Sequence, residues 1–151
     1  MVIFIITGAV IFGHFMAISR IPFMLADWLG GLPIPPMAVM AIIAFIYFLG
    51  GFFMDAMGLI VVTVPIFFPI VEKLGFDPIW FGVIIVLVGE IGVITPPVGV
   101  NVFIIKGIAP DIHLERVFRG ILPFLAALIV FTIILMIFPE IANFLPGLVT
   151  Y

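Results

Sequence analysis

The chain has 151 residues, 66% of them hydrophobic and 9% charged, with a formal net charge of −3. Ordinary soluble domains are about 45–50% apolar and about 25% charged, so this sequence has too few polar side chains to cover a water-soluble fold. It has no basic patch to bind nucleic acid, and no cysteine for a disulfide or a thiolate metal site.

The first apolar stretch, Met1 to Ile18, holds only His14 as a titratable group. No positive charge precedes it and no small-x-small cleavage site follows it, so it reads as a membrane helix, or a helix cut at its start, and not as a signal peptide. A chain that opens in mid-hydrophobic stretch is expected to be a piece of a larger protein. Ser19 to Pro36 reads as a connector, with Arg20, Asp27, Trp28, the pair Gly30-Gly31 and prolines at 33, 35 and 36. Trp28 at a helix end fits the aromatic belt of a membrane surface.

Met37 to Val71 carries one charge, Asp55. As one straight helix it would run about 52 Å at 1.5 Å per residue, against a hydrocarbon core about 30 Å thick. The stretch must therefore break. Its break signals are Gly50, Gly51, Asp55 and Gly58, since glycine weakens a helix interior by about 1 kcal/mol relative to alanine. Two arms are predicted, at about 37–50 and 58–71. They form a re-entrant hairpin or cross fully and return; either way Pro36 and Glu72 lie on one side. Pro65 and Pro69 should kink the second arm, because each lacks an amide hydrogen.

Glu72 to Pro78 is a short polar turn, and Asp77-Pro78 is a helix start signal. The apolar stretch Ile79 to Ala109 is interrupted at Thr95-Pro96-Pro97-Val98-Gly99. Two adjacent prolines remove two amide donors and disfavour helical geometry before them. Half-helices at about 79–94 and 100–109, joined by unwound backbone, are predicted. Residues 110–120 carry Asp111, His113, Glu115, Arg116 and Arg119, a polar surface segment with room for a short amphipathic helix. The last helix is predicted at about Ile121 to Phe138, with the tail at the interface. The positive-inside rule puts the Lys106, Arg116 and Arg119 side in the cytoplasm, opposite Arg20 and Lys73. The expected fold is thus an all-α membrane protein: one membrane domain over 1–151, a transmembrane helix bundle in the lipid bilayer, with a helical hairpin at about 37–71 and a broken helix at about 79–109.

Non-helical backbone at membrane depth is expected at 50–58 and 94–99. It survives only where protein or a water-filled cavity surrounds it. Secondary transporters use such breaks: half-helix N-termini face anionic substrate groups and freed carbonyls hold the coupling ion. The alternative is a pair of structural kinks. The candidate substrate- and ion-binding residues are Gly50, Gly51, Asp55, Thr95, Pro96, Pro97, Gly99 and Asn101. For Asp55, a cap that fixes the bend and an ion contact are both open. For Thr95 and Asn101, cation coordination through oxygen and local satisfaction of freed backbone are both open. Glu90, between Gly89 and Gly92, is a candidate buried carboxyl, as a proton carrier or the partner of a cation, and its small neighbours point to close helix packing. His14 and His113 are far apart, so no metal site beyond a coupling Na⁺ is expected. No catalytic constellation or phosphate-binding loop is present, and an enzyme is not expected.

The motifs Gly50-Gly51-Phe52-Phe53-Met54-Asp55 and Pro65-Ile66-Phe67-Phe68-Pro69-Ile70 resemble a known pattern. So do Phe76-Asp77-Pro78-Ile79-Trp80-Phe81-Gly82-Val83 and the run from Glu90 through Thr95-Pro96-Pro97-Val98-Gly99 to Asn101. Together with Val117-Phe118-Arg119-Gly120, Pro123-Phe124 and the closing Pro139 to Pro146, they are similar to the C-terminal part of the large membrane subunit (DctM-like) of tripartite ATP-independent periplasmic (TRAP) transporters. The resemblance implies a Na⁺-driven symporter that imports small organic acids, such as C4-dicarboxylates or sialic-acid-like solutes, across a bacterial or archaeal inner membrane. It implies partners: a periplasmic solute-binding protein, a small membrane subunit and the remainder of the large subunit. It also implies an elevator motion and two inverted repeats, 37–71 being the second hairpin and Thr95–Gly99 the second break. The family's large subunit is much longer, so this chain is expected to be a fragment or one part of a split protein. A proton-coupled carrier using Glu90, and a non-transporting membrane scaffold, are the competing readings.

Overall fold

Proline and aspartate set most of the helix starts. In a computed structural model, which describes residues 2–31, 33–95, 100–109 and 111–148, eight helices follow one another and no strand occurs among the described residues. They are α1 (Val2–Ser19), α2 (Ile21–Gly30), α3 (Pro36–Phe53), α4 (Ala56–Lys73), α5 (Pro78–Ile94), α6 (Val100–Ile108), α7 (Leu114–Ile137) and α8 (Pro139–Leu148). Proline occupies the first or second position of α2, α3 and α5, where its missing amide costs no helical bond. Asp77 caps α5 by accepting from the amides of Ile79 (2.8 Å) and Trp80 (3.0 Å), as its sequence signal predicts. Between α4 and α5, Gly75 adopts φ 81°, and the amides of Gly75 and Phe76 return to the carbonyls of Glu72 (3.0 Å) and Val71 (3.1 Å). Both bonds of a Schellman ending are therefore made, and glycine is the residue that takes this left-handed backbone without strain.

α5 is the central helix. It packs against α3, α4, α6, α7 and α8, while α1 and α2 lie against α4. Tyr47, Met40, Trp80, Phe81 and Ile84 fill the interior between α3 and α5. Trp80 Nε1 donates to the Leu135 carbonyl (2.7 Å), tying the first turn of α5 to the last turns of α7. The outer surface is the reverse of a soluble protein's: Phe4, Phe53, Ile108 and Phe124 are each more than 70% exposed. α3, α4 and α7 are each long and apolar enough to cross a membrane, as are α1 and α2 taken together as a bent pair. The chain is a multi-pass membrane protein.

Several boundaries differ from the sequence-based expectation. The connector predicted at 19–36 is mostly helix: α2 continues α1 after a 60° bend at Arg20, whose φ is 55°. The polar segment 110–120 is mostly helix as well. Its charged residues form the opening turns of α7, which runs unbroken from Leu114 through Pro123. α4 likewise runs through Pro65 and Pro69 without ending. The break predicted over 50–58 is only Met54 and Asp55, both extended; Gly50, Gly51 and Gly58 are helical.

Candidate functional site

The hairpin tip is built from a helix end and a helix start. α3 closes with the Met54 amide on the Gly50 carbonyl (3.0 Å), and α4 opens with Asp55 as its cap, a carboxylate oxygen accepting from the Gly58 amide (3.3 Å). The carbonyls of Gly51, Phe52 and Phe53 make no hydrogen bond among the described residues. The arms are held by polar side chains as well. Tyr47 and Thr63, each eight residues from Asp55, bring their hydroxyls to 2.7 Å, and Thr63 Oγ1 lies 2.6 Å from the Leu59 carbonyl. That carbonyl can only accept, so Thr63 donates to it and Tyr47 donates to Thr63.

The second break begins where α5 ends. Thr95 is extended (φ −82°, ψ 137°), its amide bonds to Gly92 (3.2 Å) and its hydroxyl donates to the Ile91 carbonyl. Thr95 is thus locally satisfied. Pro96, Pro97 and Gly99 lie outside the described residues, and Asn101 is exposed in the first turn of α6.

Three glycines bring the two breaks together. A Cβ placed on Gly51 would lie 2.6 Å from the Gly89 carbonyl oxygen and 3.0 Å from Gly92 Cα; one on Gly92 would lie 2.5 Å from the Phe48 carbonyl oxygen. The main chains of α3 and α5 therefore touch with no side chain between them. Gly51 and Gly92 each stand three residues before a break (54 − 51 and 95 − 92), so the two helices end at one level. Ala56, the first residue of α4, has its Cβ 3.7 Å from the Cβ position of Gly89. The glycines read from the sequence as helix breakers act here as contact points. Gly50 does the same against Leu59, whose Cδ1 would lie 2.8 Å from an added Cβ.

Depth follows from α7. Phe48, Val88, Ile91, Ile129 and Thr132 line one groove of about 280 Å³. Ile129 is nine residues (129 − 120) past Gly120, where the charge-free part of α7 begins. At 1.5 Å per residue the breaks lie about 14 Å inside the membrane boundary on that side. A hydrocarbon core about 30 Å thick puts them near its midplane. The hairpin therefore turns back at mid-depth.

Glu90 is not buried within this chain. It is exposed and lines a groove of about 340 Å³ between α4 and α5 with Ala56, Met57, Ile60, Val61 and Val86. The reason is helical phase: Gly89 and Gly92 turn toward α3 and α4, and Glu90, one position on, turns away. The Tyr47–Thr63 pair was missed in the sequence, although its equal spacing about Asp55 was a usable sign.

A family model described as "Tripartite ATP-independent periplasmic transporter, DctM component" matches residues 1–141. The chain belongs to this family. It is 38% identical over 147 residues to the C4-dicarboxylate TRAP transporter large permease protein DctM of Pseudomonas aeruginosa, covering 97% of this chain and 34% of that protein. It is 37% identical over 147 residues to the isethionate TRAP transporter permease protein DctMQ of Oleidesulfovibrio alaskensis, covering 97% of this chain and 23% of that one. It is 30% identical over 143 residues to the sialic acid TRAP transporter large permease protein SiaM of Vibrio cholerae, covering 95% and 33%. This DctM-family chain thus spans about a third, or less, of the length of these relatives.

Proposed function

We propose that this chain is the C-terminal repeat of the large membrane subunit of a Na⁺-coupled TRAP importer of small organic acids, C4-dicarboxylates or sialic-acid-like solutes, in a bacterial inner membrane. The observation that supports it is the meeting of two helix breaks near the membrane midplane. The carbonyl ends of α3 and α5 carry partial negative charge and suit a bare cation, while the amide ends of α4 and α6 carry partial positive charge and suit a carboxylate. Gly50, Gly51, Asp55, Thr95, Pro96, Pro97, Gly99 and Asn101 supply this chain's part of the site. No three His, Cys, Asp or Glu come together among the described residues, so carbonyl and hydroxyl oxygens are the donors a Na⁺ would use here. The other repeat, a small membrane subunit and a periplasmic solute-binding protein complete the transporter.

The test is uptake of a labelled C4-dicarboxylate and a labelled sialic acid into proteoliposomes holding the complete large subunit, the small subunit and the binding protein. Uptake is expected to follow an inward Na⁺ gradient and to stop when K⁺ replaces Na⁺. Uptake driven by a proton gradient without Na⁺ overturns the coupling, and unchanged flux after Thr95→Val with Asp55→Asn overturns the site.

A further inference from the structure

Three of the chain's five Lys and Arg residues, Lys106, Arg116 and Arg119, lie where α6 ends and α7 begins, and none of them belongs to the site at the breaks. Lys106 Nζ donates to the Ile112 carbonyl (2.7 Å), folding the end of α6 back onto the link to α7. His113, Glu115, Arg116 and Arg119 line a surface pocket of about 230 Å³. Within it Arg119 is paired with Glu115 at 2.9 Å, while Arg116 has no partner among the described residues. His113 makes no side-chain cap, so the first amides of α7 also point into this region unspent. Asp111, exposed on the link, is the other acidic group nearby.

What lies one turn further along α7 sets the ligand class. Gly120 has nothing within 4 Å of its Cβ position, leaving a notch beneath the arginines. Below it Leu122 (53%) and Phe124 (72%) are exposed, and no charge follows until Glu140. The surface therefore passes within two turns from guanidinium groups to bare hydrocarbon, along the direction that crosses the membrane boundary. Arg116 and Arg119 are three apart and Leu122 is three further, so all three share one helix face. A soluble anion would use only the upper half of this surface. A phospholipid would use both, its phosphate on the guanidinium groups and its acyl chains along Leu122 and Phe124.

We propose that the start of α7 is a binding site for an anionic phospholipid, with Arg116 and Arg119 holding the headgroup phosphate and the Gly120–Phe124 face receiving the acyl chains. Glu115 takes part by orienting Arg119, and the headgroup competes with it for that guanidinium. This site is separate from the breaks and does not rest on the transport proposal.

The test uses the purified chain in nanodiscs of phosphatidylcholine containing a minor fraction of phosphatidylglycerol, with the bound lipid read by native mass spectrometry after release into detergent. The wild type is expected to retain phosphatidylglycerol in preference to phosphatidylcholine. Arg116→Gln with Arg119→Gln should lower that preference by about five-fold for each arginine removed. Both positions are exposed, and unchanged helicity by circular dichroism identifies a folded variant. Arg116→Lys with Arg119→Lys keeps the charge and should keep most of the preference. A folded glutamine variant that retains phosphatidylglycerol as well as the wild type overturns the proposal. So does displacement of the lipid by inorganic phosphate at equal concentration, which would make the ligand a soluble anion.

Discussion

Replacing Gly92 with alanine tests the helix contact on which the site is built. The new methyl would stand 2.5 Å from the Phe48 carbonyl oxygen and 2.9 Å from Gly51 Cα. Ordinary contact begins near 3.4 Å, so α3 and α5 would have to part by about 1 Å, and the obstructing atoms are main chain that no rotamer change can clear. Overpacking of this kind costs about 1–3 kcal/mol, and two backbones in contact put it near the upper figure. Alanine returns up to about 1 kcal/mol of helix propensity. The net expectation is a loss of about 2 kcal/mol, roughly a thirty-fold shift in the unfolding equilibrium. Gly82→Ala is the internal control: it lies in the same helix with nothing within 4 Å of its Cβ position, and should be neutral or slightly stabilising. The assay is unfolding in mixed micelles with increasing denaturing detergent, followed by circular dichroism. Equal stability of the two variants would refute the backbone contact.

Further outcomes follow from the same geometry. Tyr47→Phe should cost about 0.6 kcal/mol, up to about 1.7, because Thr63 keeps its bond to Leu59. Thr63→Val should cost about 1–3 kcal/mol, because it strands the buried Tyr47 hydroxyl, and the double variant should cost less than the sum. Strict additivity in that cycle would show that the hydroxyls do not interact. Asp55→Ala should lose the α4 cap, about 1 kcal/mol, whereas Asp55→Asn should keep it and unfold like the wild type. In the reconstituted transporter Asp55→Asn should nevertheless lose Na⁺-dependent uptake, and full uptake would leave Asp55 with the cap alone.

The hairpin and the broken helix were legible because both rest on length. An apolar run of 35 residues (37–71) cannot cross a core about 30 Å thick without turning back. Asp55 marked the turn, and Thr95 the end of α5, for reasons of local chemistry that hold in any fold. What the sequence hid depended on neighbours. Gly50 and Gly51 have the composition of a break, yet stay helical because Leu59, Gly89 and Gly92 press against them and reward the missing side chain. Glu90 in an apolar run implied burial, but burial depends on which face a neighbour covers, and no neighbour covers that face here. Charges misled twice, at Arg20–Asp27 and at Glu115–Arg119. In both places a helix continues past the apolar stretch, since charged side chains interrupt hydrophobicity without interrupting backbone hydrogen bonding.

The glycine crossing also limits how these parts can travel. With only peptide groups facing each other between Gly51 and Gly92, no lubricating layer of side chains exists there for one helix to slide on. The hairpin and α5 must shift as one rigid body, so both openings stay in register through any displacement. Relative movement is left to seats where side chains form the contact, such as the ring of Pro65 against Gly13 of α1.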